Sequence, residues 1–137
     1  MRVMGLDIGD KRIGIALSDE LGIAASGLEI YQRTSLNQDV KHIADLASRY
    51  DVGSIVAGLP KTLNGAIGPQ AEKVLKFIEK LKKYIDVPVI TWDERLTTVE
   101  VEKLMIDAGV RRSRRKKVID KLAATVILNS YLKSVQA

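Results

Sequence analysis

Three acidic positions in this sequence stand where carboxylates do chemistry. Asp7 lies in Leu6-Asp7-Ile8-Gly9, near the end of a short apolar run that reads as a strand. A charge in a strand covered on both faces is costly unless it has a partner. Asp93 and Glu94 follow the apolar run Val87 to Trp92, at the carboxyl end of a strand, where open α/β sheets place their sites. Asp120 is the lone acid among seven basic residues (Arg111, Arg112, Arg114, Arg115, Lys116, Lys117, Lys121). Counted at about 100° per residue along a final helix, it shares a face with Ala123, Ala124, Ile127 and Tyr131. Each acid also has a plainer use. Asp7 could start a hairpin turn, Asp93 and Glu94 could pair with Arg95, and Asp120 could pair with Lys116 or Lys117.

Acids from three separate elements that meet at one site oppose each other's ionisation. Magnesium or manganese resolves the repulsion, because hard divalent cations prefer carboxylate oxygens. Two such ions about 4 Å apart activate a water and stabilise the leaving oxygen in phosphodiester hydrolysis. The charge distribution suits a phosphodiester substrate. The chain is +5 at pH 7, yet the segment from 111 to 121, with seven basic residues and one acid, carries +6 and leaves −1 for the rest. Clustered Arg and Lys bind a nucleic-acid backbone by releasing its counterions; a solvated helix start is the alternative use of the same charge. The candidate phosphate contacts are Arg12, Lys61, Arg111, Arg112, Arg114, Arg115 and Lys117. Gly9 clears space beside the first acid. Thr97 and Thr98 are placed to orient a substrate, although Thr97-x-x-Glu100 also reads as a capping box. Trp92 is a core residue before it is a base-stacking one, and His42 is expected to be exposed.

The elements that must position these residues follow from periodicity. Val3 to Ile8, Arg12 to Ser18 and Ile23 to Ile30 are three apolar runs separated by turn signals, and predict an antiparallel meander. Ser35-x-x-Gln38 caps a helix carrying Leu36, Val40, Ile43, Ala44 and Ala47. Ser54 to Leu59 is a buried strand ended by Pro60. The loop from Lys61 to Gly68 is expected to form a mobile edge of the site. Pro69 opens a helix with Ala71, Val74, Leu75, Ile78 and Leu81 on one face. Val87 to Trp92 is the fifth strand. A helix stopping at Gly109 follows, then a final helix capped by Ser113 and running to about Lys133. Together these predict an α/β fold: a mixed five-stranded sheet, three antiparallel strands and then parallel ones, with helices on both faces.

On these residues the chain resembles the YqgF family, also called the RuvX or Holliday junction resolvase family. The resemblance is carried by four blocks in order. They are Gly5-Leu6-Asp7-Ile8-Gly9-Asp10-Lys11-Arg12-Ile13-Gly14-Ile15-Ala16; Gly58-Leu59-Pro60 with Asn64-Gly65 and Gly68-Pro69-x-Ala71; Asp93-Glu94-Arg95-Leu96-Thr97-Thr98; and Lys117-x-x-Asp120-Lys121-x-Ala123-Ala124-x-x-Ile127-Leu128. The resemblance implies a ribonuclease H-like fold related to RuvC resolvase, and Asp7, Glu94 and Asp120 as the acid triad, choosing Glu94 over Asp93. It implies a metal-dependent nuclease that processes the 5' end of pre-16S rRNA or, alternatively, resolves four-way DNA junctions. A non-catalytic RNA-binding ribosome-assembly factor is the reading from another class; it has no need of converging acids that repel phosphates. Asp7-x-Gly9-x-x-x-x-Gly14 also looks like the first phosphate loop of actin-like ATPases and sugar kinases, but those need a second domain for which this length leaves no room.

At 137 residues the chain is expected to be one domain, 1–137. With no cysteine, disulfides and thiolate metal sites are excluded. The N-terminus lacks a signal-peptide layout and the apolar runs are too short to span a bilayer, so a cytoplasmic protein without membrane contact is expected. Resolvases cut two strands symmetrically and so work as dimers; monomer and homodimer both stay open here.

Overall fold

Three strands in series open the chain: β1 (Arg2–Ile8), β2 (Arg12–Ser18) and β3 (Ala25–Gln32) pair antiparallel as the alternating runs require. β4 (Val52–Leu59) then joins β1 in parallel, and β5 (Val89–Asp93) joins β4 in parallel. The sheet order is β3-β2-β1-β4-β5. The helices are α1 (Leu36–Arg49), α2 (Pro69–Leu81) and α3 (Arg112–Gln136). This computed structural model describes residues 1–94, 103 and 105–136, with 115–121 described by backbone alone.

Strand alternation divides the core in two. Met4, Leu6 and Ile8 of β1 join Val40, Ile43, Phe77 and Leu81 of α1 and α2 in one cluster. The opposite face carries Ala16, Val56, Ile90 and Trp92 against Ala124, Ile127, Leu128 and Leu132 of α3. Helices therefore cover both faces, as expected. The close seat of α3 on β1 depends on Gly5, where a Cβ would stand 2.8 Å from Leu128 Cβ and 3.0 Å from the Ala124 carbonyl oxygen.

Several boundaries differ from the periodic reading, each for a local reason. β3 begins at Ala25, not Ile23, because Asp19 Oδ1 accepts the Ile23 N–H at 2.7 Å and the Ala24 N–H at 3.3 Å, holding both in the turn. On α2, Leu75 is 38% exposed and Phe77 takes the buried position, since 74, 77, 78 and 81 complete the stripe. Ser113 lies inside α3, not at its cap, because the helix already begins at Arg112. His42 is half-buried, 3.2 Å from Glu29 Oε1 and stacked on Tyr31. Ser35 does cap α1, accepting the Gln38 N–H. Gly109 (φ +77) does end the helical stretch before it, with Gly109 N–H donating to Ile106 O and Val110 N–H to Met105 O.

One buried ion pair fixes the β1–β2 turn. Asp39 is 1% exposed and accepts Arg33 Nε at 2.8 Å and the Thr34 N–H at 3.0 Å. Burial pushes the Asp39 carboxyl up, but the Thr34 amide and Arg33 outweigh it and hold its pKa below the usual value. The same guanidinium donates to the Gly9 carbonyl at 2.8 Å and lies over the Phe77 ring. The turn that follows Asp7 is thereby anchored to the core.

Candidate active site

Asp7 stands one residue before the end of β1, opposite Gly14 of β2. It does not make the hairpin turn; that turn closes where the Gly9 N–H donates to Arg12 O at 2.9 Å. The close approach expected at Gly9 is to this same backbone, since a Cβ there would meet Arg12 O at 2.9 Å. Parity along β1 puts Asp7 on the α3 face with Val3 and Gly5. Gly14 marks where this face meets α3, because a Cβ at 14 would touch both Asp7 Cβ (3.6 Å) and Ala124 Cβ (3.4 Å) at ordinary contact distance. Asp7 is half-buried and engaged with other groups.

Glu94 directly follows β5, whose last pairing is Leu59 with Asp93. Strand parity separates the two candidate acids at this end: Trp92 packs against α3, Asp93 falls on the other face, and 94 returns to the α3 side. Its strand is two places from that of Asp7, a gap of roughly 10 Å. The Glu94 side chain closes the gap by lying across β4 at Gly58. A Cβ on residue 58 would meet Glu94 Cγ at 2.7 Å and Ile127 Cδ1 at 2.6 Å. The carboxyl then hydrogen-bonds to that of Asp7. Burial, the charge of Asp7, this hydrogen bond and the charge of Asp93, in that order, raise the Glu94 pKa to about 8. Near neutral pH the pair therefore retains a proton, and that proton bridges the two carboxyls.

Asp120 belongs to α3, one turn before Ala124, which packs beside Gly14; its side chain lies outside the described residues, as do those of Arg115 and Lys117. Thr97 and Thr98 lie outside them altogether. Arg12 opens β2 and is exposed, and Lys61 is half-buried just past β4. Arg111, Arg112 and Arg114 are exposed at the start of α3. α3 runs against β1, with Leu128 over Gly5 and Ala124 beside Gly14, so its basic end lies beyond the acids, about 15 Å along the axis from Ala124. Trp92 is a core residue as expected, packed against Tyr131 and donating from Nε1 to Ser130 Oγ at 3.1 Å. Sequence reasoning missed two contributors: Gly58, quoted only as part of a motif, and the Asp39–Arg33–Gly9 anchor. Among the described residues no helix is long and apolar enough to cross a membrane.

An antiparallel meander extended by two parallel strands, helices on both faces and acids at the strand ends define a protein of the ribonuclease H-like class. The solved Thermus thermophilus RuvC in complex with a Holliday junction substrate shares this fold, with a TM-score of 0.64 and 15% identity over 100% of this chain and 97% of that one. The profile of the RuvX family, described as Holliday junction resolvase, matches residues 1–134. A protein of Desulforudis audaxviator, provisionally named pre-16S rRNA nuclease, is 62% identical over 98% of this chain and 95% of its own length. A Desulforamulus reducens protein of the same name is 57% identical over 98% of each chain. The chain belongs to the RuvX family.

Proposed function

We propose that this chain, a nuclease by its family, works as a single domain that hydrolyses phosphodiester bonds in structured nucleic acid with Asp7, Glu94 and Asp120 as its cation-binding acids. The observation that carries the reading is the contact between the Asp7 and Glu94 carboxyls. Two acids from different strands, held together so that one keeps its proton near neutral pH, weaken the apo fold; a cation that replaces the proton turns the pair into a site. All-oxygen donors fit magnesium or manganese. When bound, such ions supply an activated water and stabilise the leaving oxygen. Asp7 and Glu94 hold them from the sheet, and Asp120 is the proposed third acid, from the helix that covers Asp7. Gly9 shapes the turn beside Asp7, and Thr97 and Thr98 are the proposed orienting residues. Arg12, Lys61, Arg111, Arg112, Arg114, Arg115 and Lys117 are the proposed backbone contacts.

The substrate we favour is the precursor of small-subunit ribosomal RNA, processed in the cytoplasm. It rests on the provisional name shared by the close relatives. A precursor end presents one bond to cut and needs only one chain. The family's description favours the four-way DNA junction as the second reading, which needs a two-fold pair of chains. A binding protein without chemistry is disfavoured by the acid pair, which repels phosphate. The test is cleavage of a labelled pre-rRNA fragment and of a four-way DNA junction, each with magnesium, manganese or chelator. Cutting that needs metal and is lost in Asp7→Asn is expected; salt-sensitive binding with no cutting of either would defeat the reading.

Neutralising the start of α3 gives an independent check on the basic segment. Arg114→Gln with Arg115→Gln should weaken binding of any sequence and lower the slope of log affinity against log salt by about 2, near one per lost phosphate contact. An unchanged slope would mean that the backbone docks elsewhere.

A further inference from the structure

The β4–α2 loop leaves the sheet between the two acid-bearing strands. β4 lies between β1 and β5, and its last residue, Leu59, pairs with Asp93. Pro60 and the loop up to Gly68 therefore leave the sheet at the same end as Asp7 and Glu94, between the strands that carry them. The loop is internally tied. Thr62 N–H donates to Ala66 O at 3.0 Å, Gly65 N–H to Thr62 O at 2.8 Å, and Ala66 N–H to Thr62 Oγ1 at 3.1 Å. Gly65 takes the left-handed conformation (φ +84) that this tight turn needs. Gly68 lets Thr62 pack against the loop's base, where a Cβ would stand 2.9 Å from Thr62 Cγ2. These cross-links lie within the segment expected to form a mobile edge of the site.

At the tip of this braced turn Leu63 is 99% exposed, and Ile67 farther along is 45% exposed. Single exposed leucines are ordinary on protein surfaces. This one differs in being held out by a hydrogen-bonded turn in the loop that leaves the sheet at the strand ends carrying Asp7 and Glu94. Proteins that bind and bend a duplex frequently insert an apolar side chain of this kind between base steps, unstacking them and kinking the helix. Bound nucleic acid would also remove the leucine from water. From this juxtaposition we infer that Leu63 is a wedge: it inserts at a base step beside the scissile phosphate and opens a paired stem so that the backbone reaches the acids. The ligand is thus a base-paired stem at the cut site, not an already single-stranded one. This inference rests on the nuclease reading for its purpose, though not for its detection.

The test has two arms. In the first, full-length protein is titrated in chelator onto a ribosomal precursor stem carrying 2-aminopurine beside the cut site, with a matched DNA stem in parallel. Wild type should raise the fluorescence severalfold at saturation, and Leu63→Ser should bind yet leave it near the free-stem value. In the second arm, with metal, Leu63→Ala should cut the paired stem about tenfold or more slowly, and cut a stem with two mismatches at that step within about twofold of wild type. An absent fluorescence rise in wild type, an equal rise in Leu63→Ser, or equal slowing on both stems would overturn the wedge. If wild type unstacks the stem through Leu63 but cuts neither stem, the wedge stands and the nuclease reading fails. If cutting is normal and indifferent to residue 63, the reverse holds.

Discussion

Glu94→Gln should abolish metal-dependent cutting and at the same time make the metal-free protein more stable at pH 8. The sign follows from the direction of the shift. In the unfolded chain Glu94 titrates near its ordinary value of 4.5; in the fold it titrates near 8. Below pH 4.5 it is protonated in both states and makes no difference to folding. Between the two values the folded chain keeps a proton that the unfolded chain has released, so stability falls as pH rises, by about 1.4 kcal/mol per unit at most. Above pH 8 the loss is complete, on the order of 3 to 5 kcal/mol. Glutamine keeps the shape and cannot ionise, so urea midpoints of the apo variant should lack this decline. Saturating manganese at pH 8 should raise the wild-type midpoint and leave that of the variant nearly unmoved, since a ligand stabilises only the state that binds it. Parallel pH profiles for wild type and variant would show that Glu94 is an ordinary solvated acid and remove the main support for the site.

How much of this was legible beforehand depends on the range of the interactions involved. Asp7 stood out because one charge inside an apolar strand is anomalous on local grounds alone. The strand sequence and the helix beginning at Pro69 were legible for the same reason, since period and capping chemistry are local. The choice between Asp93 and Glu94 rested on resemblance, although a physical signal was present. Ile90 and Trp92 are the apolar partners of α3, and parity carries that face on to 94. Applying it requires knowing which face α3 covers, and that is a long-range fact. The burial of Asp39 was hidden in the same way, because an acid in a first helical turn reads as solvated until Arg33 and the Gly9 carbonyl are brought to it by the sheet. Periodicity starts β3 too early because apolar Ile23 outweighs the turn that Asp19 builds around it. The third acid of the proposed triad, Asp120, is placed by the backbone of α3 and the sequence alone.

Gly58→Ala should be the most damaging single-methyl change near the acid pair, and it separates packing from chemistry. The added Cβ would overlap Ile127 Cδ1 of α3 on one side and Glu94 Cγ on the other. Overpacking of this kind costs about 1 to 3 kcal/mol. Pushing the Glu94 side chain off β4 breaks its reach to Asp7, and a displacement of about 1 Å at a reacting group costs roughly a hundredfold in rate. The two consequences come apart in a second variant. Ile127→Val in the Gly58→Ala background makes room on the helix side only. Stability should partly recover, read as the urea midpoint, while cutting stays lost and the pH dependence of apo stability stays weaker than in wild type. Recovery of cutting together with stability would mean that Gly58 serves helix packing and that Glu94 need not cross β4 to work. Failure of both to recover, with Glu94 still titrating near 8, would place the damage in the β4–β5 pairing. The bare strand position at 58 exists, in this account, because two strands must deliver their acids to one point, and the side chain that spans the gap must pass over the strand between them.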